Sequence, residues 1–294
     1  MCIVGGGFQA APFLFWIDRF APNQHTERSM KSEAATVLEH RDFGGGYNLL
    51  VFDVPAVASE VVPGQFIHLR VPRLEGAVLR RPFSVFKADA QTLSVLYKQV
   101  GRGTRAMGEI AAGESVSIVG PLGNGFPQAD ASAFPVLVAG GYGVAPLYLL
   151  ASRMPAKGIL FVGGRSEIDI LCVDAFLELG WEVQVTTEDG SIGSKGLVTG
   201  ALDRWLSSRG PEVRPEFFAC GPDGLLKAVG DRVISGNGQG WLSLDKHMGC
   251  GVGACLACVQ KIRVDGGSVV WKRVCKDGPI FEAHEIVWPS EDSA

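Results

Sequence analysis

The sequence carries no strong charge of either sign: 27 Lys and Arg stand against 31 Asp and Glu, a net of -4 over 294 residues. Such a balance supplies no long-range attraction to nucleic acid or to an anionic membrane, and a polyanionic partner is excluded. There is also no apolar run near the roughly 18 residues that a membrane-spanning helix needs. The early stretch Phe13-Leu14-Phe15-Trp16-Ile17 is short, and no basic segment precedes it as a secretory signal requires. The chain therefore reads as cytoplasmic. Neither an internal repeat nor a low-complexity segment occurs, and the 47 % hydrophobic content excludes global disorder. Cysteines are few and odd in number, seven in all, unlike the dispersed even set of a disulfide-stapled secreted domain.

What the chain has in excess is glycine, 39 of 294 residues, which favours tight turns and close backbone approach to a ligand. From Ala34 to Val119 short β-rich runs alternate with Gly/Pro turns: Ala35 to Leu38, Tyr47 to Val54, Gln65 to Val71, Phe83 to Phe86, Leu93 to Val100 and Ser115 to Val119. Strands of this length and spacing predict an antiparallel β-barrel. After Pro135 the grammar changes to strand-helix alternation. The continuous apolar strand Pro135 to Ala139 precedes a helical Val144 to Arg153, and Gly158 to Val162 precedes a helical Ile168 to Leu179. Trp181 to Thr187, a helical Leu197 to Ser207, Glu216 to Cys220 and a helical Gly224 to Val233 follow. This pattern predicts an α/β doubly wound parallel sheet. From Gly236 the chain is Gly- and Cys-rich with little helical period.

Three groups of residues carry chemistry. Cys250, Cys255 and Cys258, followed by Cys275, spell C-x4-C-x2-C with a distant fourth cysteine, the plant-type spacing for a [2Fe-2S] cluster. Three thiolates must curl onto two irons from one short loop, and Gly249, Gly251, Gly253 and Ala254 permit that. Zinc is the competing reading, but it is usually held by C-x2-4-C pairs on separate knuckles. Arg80-Arg81-Pro82-Phe83-Ser84 at a barrel strand offers a guanidinium to a pyrophosphate, and Gly101-Arg102-Gly103-Thr104 opens a helix where N-H groups can meet phosphate. Gly140-Gly141-Tyr142-Gly143-Val144 follows the first parallel strand, and Cys220-Gly221-Pro222 ends a later one, both at the edge where ligands of open sheets lie.

In this order the parts resemble the ferredoxin-NADP reductase superfamily, and within it the electron-transfer subunits of NAD-linked, two-subunit dihydroorotate dehydrogenases. The resemblance covers about residues 33 to 285 and is most specific in the cysteine loop with Cys275-x2-Gly278-Pro279. It implies FAD between barrel and nucleotide domain, with Arg81 on the pyrophosphate and Pro82, Phe83 and Ser84 along the isoalloxazine and ribityl side. It further implies Leu96, Tyr97 and Lys98 flanking the flavin and Gly103 and Thr104 on its phosphates. Gly141, Gly143 and Val144 would receive the NAD phosphates, and Cys220, in a catalytic position, would lie with Gly221 and Pro222 near the nicotinamide. Cys250, Cys255, Cys258 and Cys275 would ligate the cluster.

The implied units are an N-terminal extension at 1-32, an FAD-binding barrel at 33-130, an NAD-binding α/β domain at 131-236 and a small [2Fe-2S] domain at 237-294. The implied partner is an FMN-containing catalytic subunit, in a heterotetramer with the cluster near the interface, serving pyrimidine biosynthesis. Preference for NAD follows from the resemblance, since Arg165-Ser166 could contact a 2′-phosphate and no acidic residue clearly marks a ribose hydroxyl. The small flavoprotein subunits of NADPH-ferredoxin oxidoreductase, sulfide dehydrogenase and hydrogenase complexes look similar; in the first of these one ligand is Asp, whereas all four here are Cys. A flavin and cluster redox sensor without turnover, or a zinc-stabilised binding module, are the non-enzyme readings. Periodic sequence begins only after Met30, and residues 1-29 are expected to be a dispensable or mis-started extension. A chain lacking them should therefore fold and take up its cofactors as the full chain does, read by visible absorbance and circular dichroism.

Overall fold

The computed structural model describes residues 30-74, 76 and 78-289; the expectation about residues 1-29 lies outside them. Six strands close into a barrel: β1 (Lys31–Gly44), β2 (Tyr47–Asp53), β3 (Phe66–Arg70), β4 (Arg81–Ala88), β5 (Thr92–Lys98) and β6 (Ser115–Leu122), in the order β1-β2-β5-β4-β3-β6. Every neighbouring pair is antiparallel. Two short helices, α1 (Pro55–Ala58) and α2 (Arg102–Met107), contribute Val57, Ala58 and Met107 to its core. Alternation along the strands sends one set of side chains inward. Leu50, Phe52, Ile67, Leu69, Val85, Leu93, Val95 and Ile118 fill the barrel interior.

The second unit is a seven-stranded sheet. Its strands are β7 (Phe134–Gly140), β8 (Ile159–Gly164), β9 (Glu182–Thr187), β10 (Ser194–Lys195), β11 (Pro215–Cys220), β12 (Gln239–Ser243) and, after the intervening hairpin β13 (Val259–Arg263) and β14 (Val269–Arg273), β15 (Ile280–Glu282). Helices α3 (Val144–Arg153), α4 (Val173–Glu178), α5 (Val198–Ser208) and α6 (Asp223–Ser235) connect them, and one helical turn, α7 (Val274–Asp277), follows β14. The order β10-β9-β8-β7-β11-β12-β15 is parallel throughout except for the last pair, and the chain changes direction of winding between β7 and β11. That is the topological switch point, where a crevice opens at the carboxyl ends of the strands.

Alternation also divides the strands of the sheet between two cores. Val136, Val138, Phe161 and Ala219 meet α5 and α6 on one face, together with Cys258, Ile262 and Cys275. Leu137, Ala139, Val162 and Phe218 meet α3 and Phe176 on the other, where Tyr47, Phe86 and Leu96 of the barrel join them. The Phe86 and Tyr148 rings lie 4.7 Å apart across that seam.

Two expectations are corrected. The helix read over Ile168 to Leu179 is broken into a 3-10 turn at Glu167–Asp169 and the later α4, with Cys172 at φ 62 between them. In the broken segment the Asp169 carboxylate reaches the barrel, as described below. The parallel sheet also does not stop at residue 236: β12 pairs with β11 and β15 returns to pair with β12, so the cysteine segment is an excursion from the nucleotide sheet. No helix among the described residues is long and apolar enough to cross a membrane.

Close packing where the sheet begins explains one glycine away from any site. A Cβ on Gly158 would stand 1.9 Å from the Pro135 carbonyl oxygen. Gly158→Ala should cost about 3 kcal/mol through the overpacking it forces. The denaturation midpoint is expected to fall with the m-value unchanged.

Candidate functional site

At the switch point two turns meet backbone to backbone. A Cβ on Gly143 would fall 2.3 Å from the Cys220 carbonyl oxygen, and one on Gly140 2.9 Å from Pro222 Cδ. Gly141 has φ +53, the left-handed region that glycine adopts freely. Sequence positions Gly141, Gly143, Val144, Cys220, Gly221 and Pro222 are thus brought together. Val144 opens the ten-residue α3 as a direct continuation of the 3-10 turn Gly141–Gly143: its N-H bonds the Gly141 carbonyl, and no side chain caps the start of the turn or of the helix. Burial first, then the charge of Asp245, pushes the Cys220 thiol up to about 12, against hydrogen bonds from Ser243 and the Gly221 N-H. Cys220 therefore keeps its proton at neutral pH and is not a thiolate nucleophile.

On the barrel, Arg81 lies against the start of α2: a Cβ on Gly103 would meet Arg81 Nε at 2.7 Å. Thr104 Oγ1 accepts the N-H groups of Val100 (2.9 Å) and Gly101 (3.1 Å), which fixes the turn before the helix. Arg81, Gly103 and Thr104 form one basic, N-H-rich corner. Phe83 and Tyr97 do not offer their rings to that corner. They pack edge to face at 5.8 Å against the barrel core, and Tyr97 Oη bonds His40 Nε2 at 3.2 Å. Pro82 and Ser84 stand opposite His68 and Phe66 of β3 and so share the barrel's outer face with them. Leu96 joins the core between barrel and sheet.

Lys98, expected beside a flavin, belongs to a latch between the two units. Its Nζ donates to Asp169 Oδ1 at 2.8 Å and to Tyr47 Oη at 3.0 Å, and Tyr47 Oη donates to the same carboxylate oxygen at 2.6 Å. The Arg165 N-H reaches the other oxygen at 3.2 Å. Burial alone would raise the Asp169 carboxyl, but hydrogen bonds from Lys98 and Tyr47 outweigh it and hold the group below the usual carboxylate range. Sequence reading missed Asp169 because its partners lie far away in the chain. The same turn exposes Arg165, whose carbonyl accepts the Asp189 N-H at 3.1 Å, so acidic residues from the end of β9 stand beside Arg165-Ser166.

The four cysteines meet in the C-terminal excursion as two pairs. Cys250 bonds Cys255 side chain to side chain, and the Cys255 N-H reaches Cys250 Sγ at 3.3 Å. Cys258 pairs likewise with Cys275, whose N-H reaches Cys258 Sγ at 3.5 Å. Burial opposes ionisation of Cys250, yet N-H groups of Cys255, Val252 and Ala254 converge on it and bring the thiol down to about 6. Burial and the neighbouring Cys258 push Cys275 up to about 12. Among the described residues no three His, Cys, Asp or Glu side chains converge on a single-ion position. A two-and-two arrangement with N-H groups aimed at sulfur suits a two-iron cluster better than one tetrahedral zinc. Gly253, at φ +80, lets the loop turn against Lys276, and its carbonyl accepts from Arg273 at 3.0 Å. The loop rests on the barrel: His68 is 1 % exposed, and a Cβ on Gly251 would stand 2.3 Å from its Cε1. Burial first, then Arg80 and Arg81, lower the His68 pKa to about 4.

A barrel joined to a doubly wound sheet, with a basic corner on one and a switch-point crevice on the other, defines a reductase of the ferredoxin-NADP reductase type carrying a ferredoxin-like cysteine loop. Residues 245-287 match the family described as the iron-sulfur cluster binding domain of dihydroorotate dehydrogenase B. The chain is 37 % identical over 266 residues to the dihydroorotate dehydrogenase B (NAD(+)) electron transfer subunit of Geobacillus sp. (strain WCH70), covering 88 % of this chain and 99 % of that one. It is 35 % identical to the counterpart of Desulforamulus reducens, covering 81 % and 91 %. Among solved structures, an NADH-dependent reduced ferredoxin-NADP oxidoreductase involved in flavin-based electron bifurcation superposes with a TM-score of 0.74 at 27 % identity, covering 89 % of this chain and 92 % of that one. The chain belongs to the family of dihydroorotate dehydrogenase B electron transfer subunits.

The latch gives a pH test. A carboxyl whose folded pKa is depressed contributes stability above its unfolded value, about 3.9, and that stability is lost as pH falls through the folded value. The wild type should therefore lose stability progressively below about pH 4 through Asp169. Asp169→Asn should cost roughly 3 kcal/mol at pH 7 and flatten that acid limb, measured by urea unfolding across pH.

Proposed function

We propose that this chain is the electron-transfer subunit of an NAD-linked dihydroorotate dehydrogenase, working in UMP biosynthesis beside an FMN-containing catalytic subunit that oxidises dihydroorotate to orotate. The observation that carries the reading is the gathering, around one wall of the barrel, of the Arg81 corner, the switch-point crevice and the paired cysteines. When bound, a [2Fe-2S] cluster supplies single-electron transfer and FAD converts electron pairs into hydride exchange with NAD.

The residues present fit those groups. Arg81, Gly103 and Thr104 would hold the FAD pyrophosphate, and Pro82 and Ser84 would flank the isoalloxazine, with Phe83, Leu96 and Tyr97 contributing backbone from behind. Lys98 would act indirectly, by fixing the angle between barrel and sheet. Gly141, Gly143 and Val144 would receive NAD phosphates at α3, and protonated Cys220, with Gly221 and Pro222, would pack against the nicotinamide and exclude water. Cys250 with Cys255 would ligate one iron and Cys258 with Cys275 the other. In terms of units, the barrel would bind FAD, the sheet NAD, and the excursion between β12 and β15 the cluster.

Beside the cysteine loop Leu256 and Trp271 are 73 % and 62 % exposed, with Val252 and Val269 near them in the same segment. Apolar groups left open there suit a partner subunit seated over the cluster, in a heterotetramer with two copies of each chain. A reducing cytoplasm suits free, clustered cysteines.

Purified alone, the chain should be brown, bleach with NADH and show only NADH-dependent diaphorase activity. Adding the FMN subunit should create dihydroorotate-dependent reduction of NAD+. Cys275→Ser should lower that coupled rate at least about 100-fold while leaving diaphorase activity in place. Oxidation of dihydroorotate by the isolated chain, or a colourless zinc protein, would overturn the assignment.

A further inference from the structure

We propose that His68 donates a hydrogen bond to a sulfur of the iron-sulfur centre held by the cysteine loop and thereby raises the reduction potential of that centre. The inference rests on the cluster assignment above and concerns a residue on the barrel, outside the cysteine segment.

Strand β3 turns Ile67 and Leu69 into the barrel, which places Phe66 and His68 on its outer face. The cysteine loop covers that face directly. A Cβ on Gly251 would lie 2.3 Å from His68 Cε1 and 2.6 Å from each ring nitrogen, so Gly251 packs over the face of the imidazole and leaves the ring nitrogens, which point in the ring plane, free to meet another group beneath the loop. Gly251 must be glycine both for this contact and for its φ of +72.

The side chain is 1 % exposed, yet Nε2 has no hydrogen-bond partner. The side chains it faces across the barrel wall, those of Pro82 and Val119, carry neither donor nor acceptor. Phe66 lies edge-on to the ring at 5.8 Å, and an apolar residue would pack against it without a desolvation penalty. A buried polar atom left over in this way points to a group that completes it. With Arg80 and Arg81 nearby the ring stays neutral and keeps one N-H to donate. A hydrogen bond to cluster sulfur stabilises the reduced, more negative state and so raises the potential.

The test uses the complex with its catalytic subunit and measures iron and sulfide content, then the midpoint potentials of cluster and FAD, by EPR- and absorbance-monitored titration. In His68→Phe the cluster should become about tenfold harder to reduce, a fall of about 59 mV for a one-electron couple, with FAD unchanged. His68→Asn, which restores an N-H donor, should recover part of the shift. A fully loaded His68→Phe complex with an unshifted cluster, or one in which only FAD shifts, overturns the inference. Should His68→Phe fail to load, 15N-histidine labelling decides, carried out on a His247→Gln complex so that the histidine three residues before Cys250 adds no coupling of its own. A 15N hyperfine coupling to the reduced cluster supports the donor, and its absence overturns it. A wild-type complex without iron and sulfide would instead overturn the cluster assignment itself.

Discussion

The structure depends on a barrel whose wall is buried on both sides. Strands β3, β4 and β5 fill the interior with one set of side chains and offer the alternate set to other parts of the chain: Phe66 and His68 to the cysteine segment, Phe86, Leu96 and Lys98 to the nucleotide sheet. An antiparallel sheet usually keeps one face in water. Here burial of the outer face removes the freedom of the three units to drift, and the basic corner, the crevice and the cysteines hold fixed positions around a common wall. Electron transfer falls off with separation, so a rigid common wall is what the chemistry requires of the protein.

The latch of Lys98, Tyr47 and Asp169 works within that constraint. A lysine and an aspartate at a buried seam would each carry a heavy desolvation penalty alone; the phenol between them completes both sets of hydrogen bonds. Phe86 packs on Tyr148 across the same seam, so an apolar contact and a hydrogen-bonded charged group both join the barrel to the sheet.

Much of this was legible in the sequence because it is written in local patterns. The helix expected from Val144 to Arg153 occupies those residues, the six barrel strands fall where β-rich runs predict them, and the cysteine spacing identifies the loop. What was not legible depends on contacts distant in the chain. Apolar periodicity suggests a helix through Asp169, but the segment breaks at Cys172, with φ 62, and the Asp169 carboxylate meets Tyr47 of the barrel, a partner distant in the chain. Period-2 reasoning places Tyr97 on a strand without saying which face looks inward, and the structure turns its ring toward His40. Strands β12 and β15 are too short, and β15 too far downstream, for sequence to assign them to the same sheet. His68 gives no sequence signal at all; only its contact with Gly251 singles it out.

The return of the chain through β15 gives the cysteine excursion the topology of an elongated hairpin. Ser243 pairs with Ile280, and the Leu244 N-H bonds the Pro279 carbonyl at 2.9 Å, so both ends are tied at the rim of the nucleotide sheet. Sheet pairing thus holds the two ends of the loop together, and the entropy of closing it is offset by the hydrogen bonds of β12 and β15. The same arrangement makes the excursion a part of the nucleotide sheet rather than a separate tail: Cys258, Ile262 and Cys275 share one core with α5 and α6, so a disturbance of the cysteine loop is felt by the sheet that carries it.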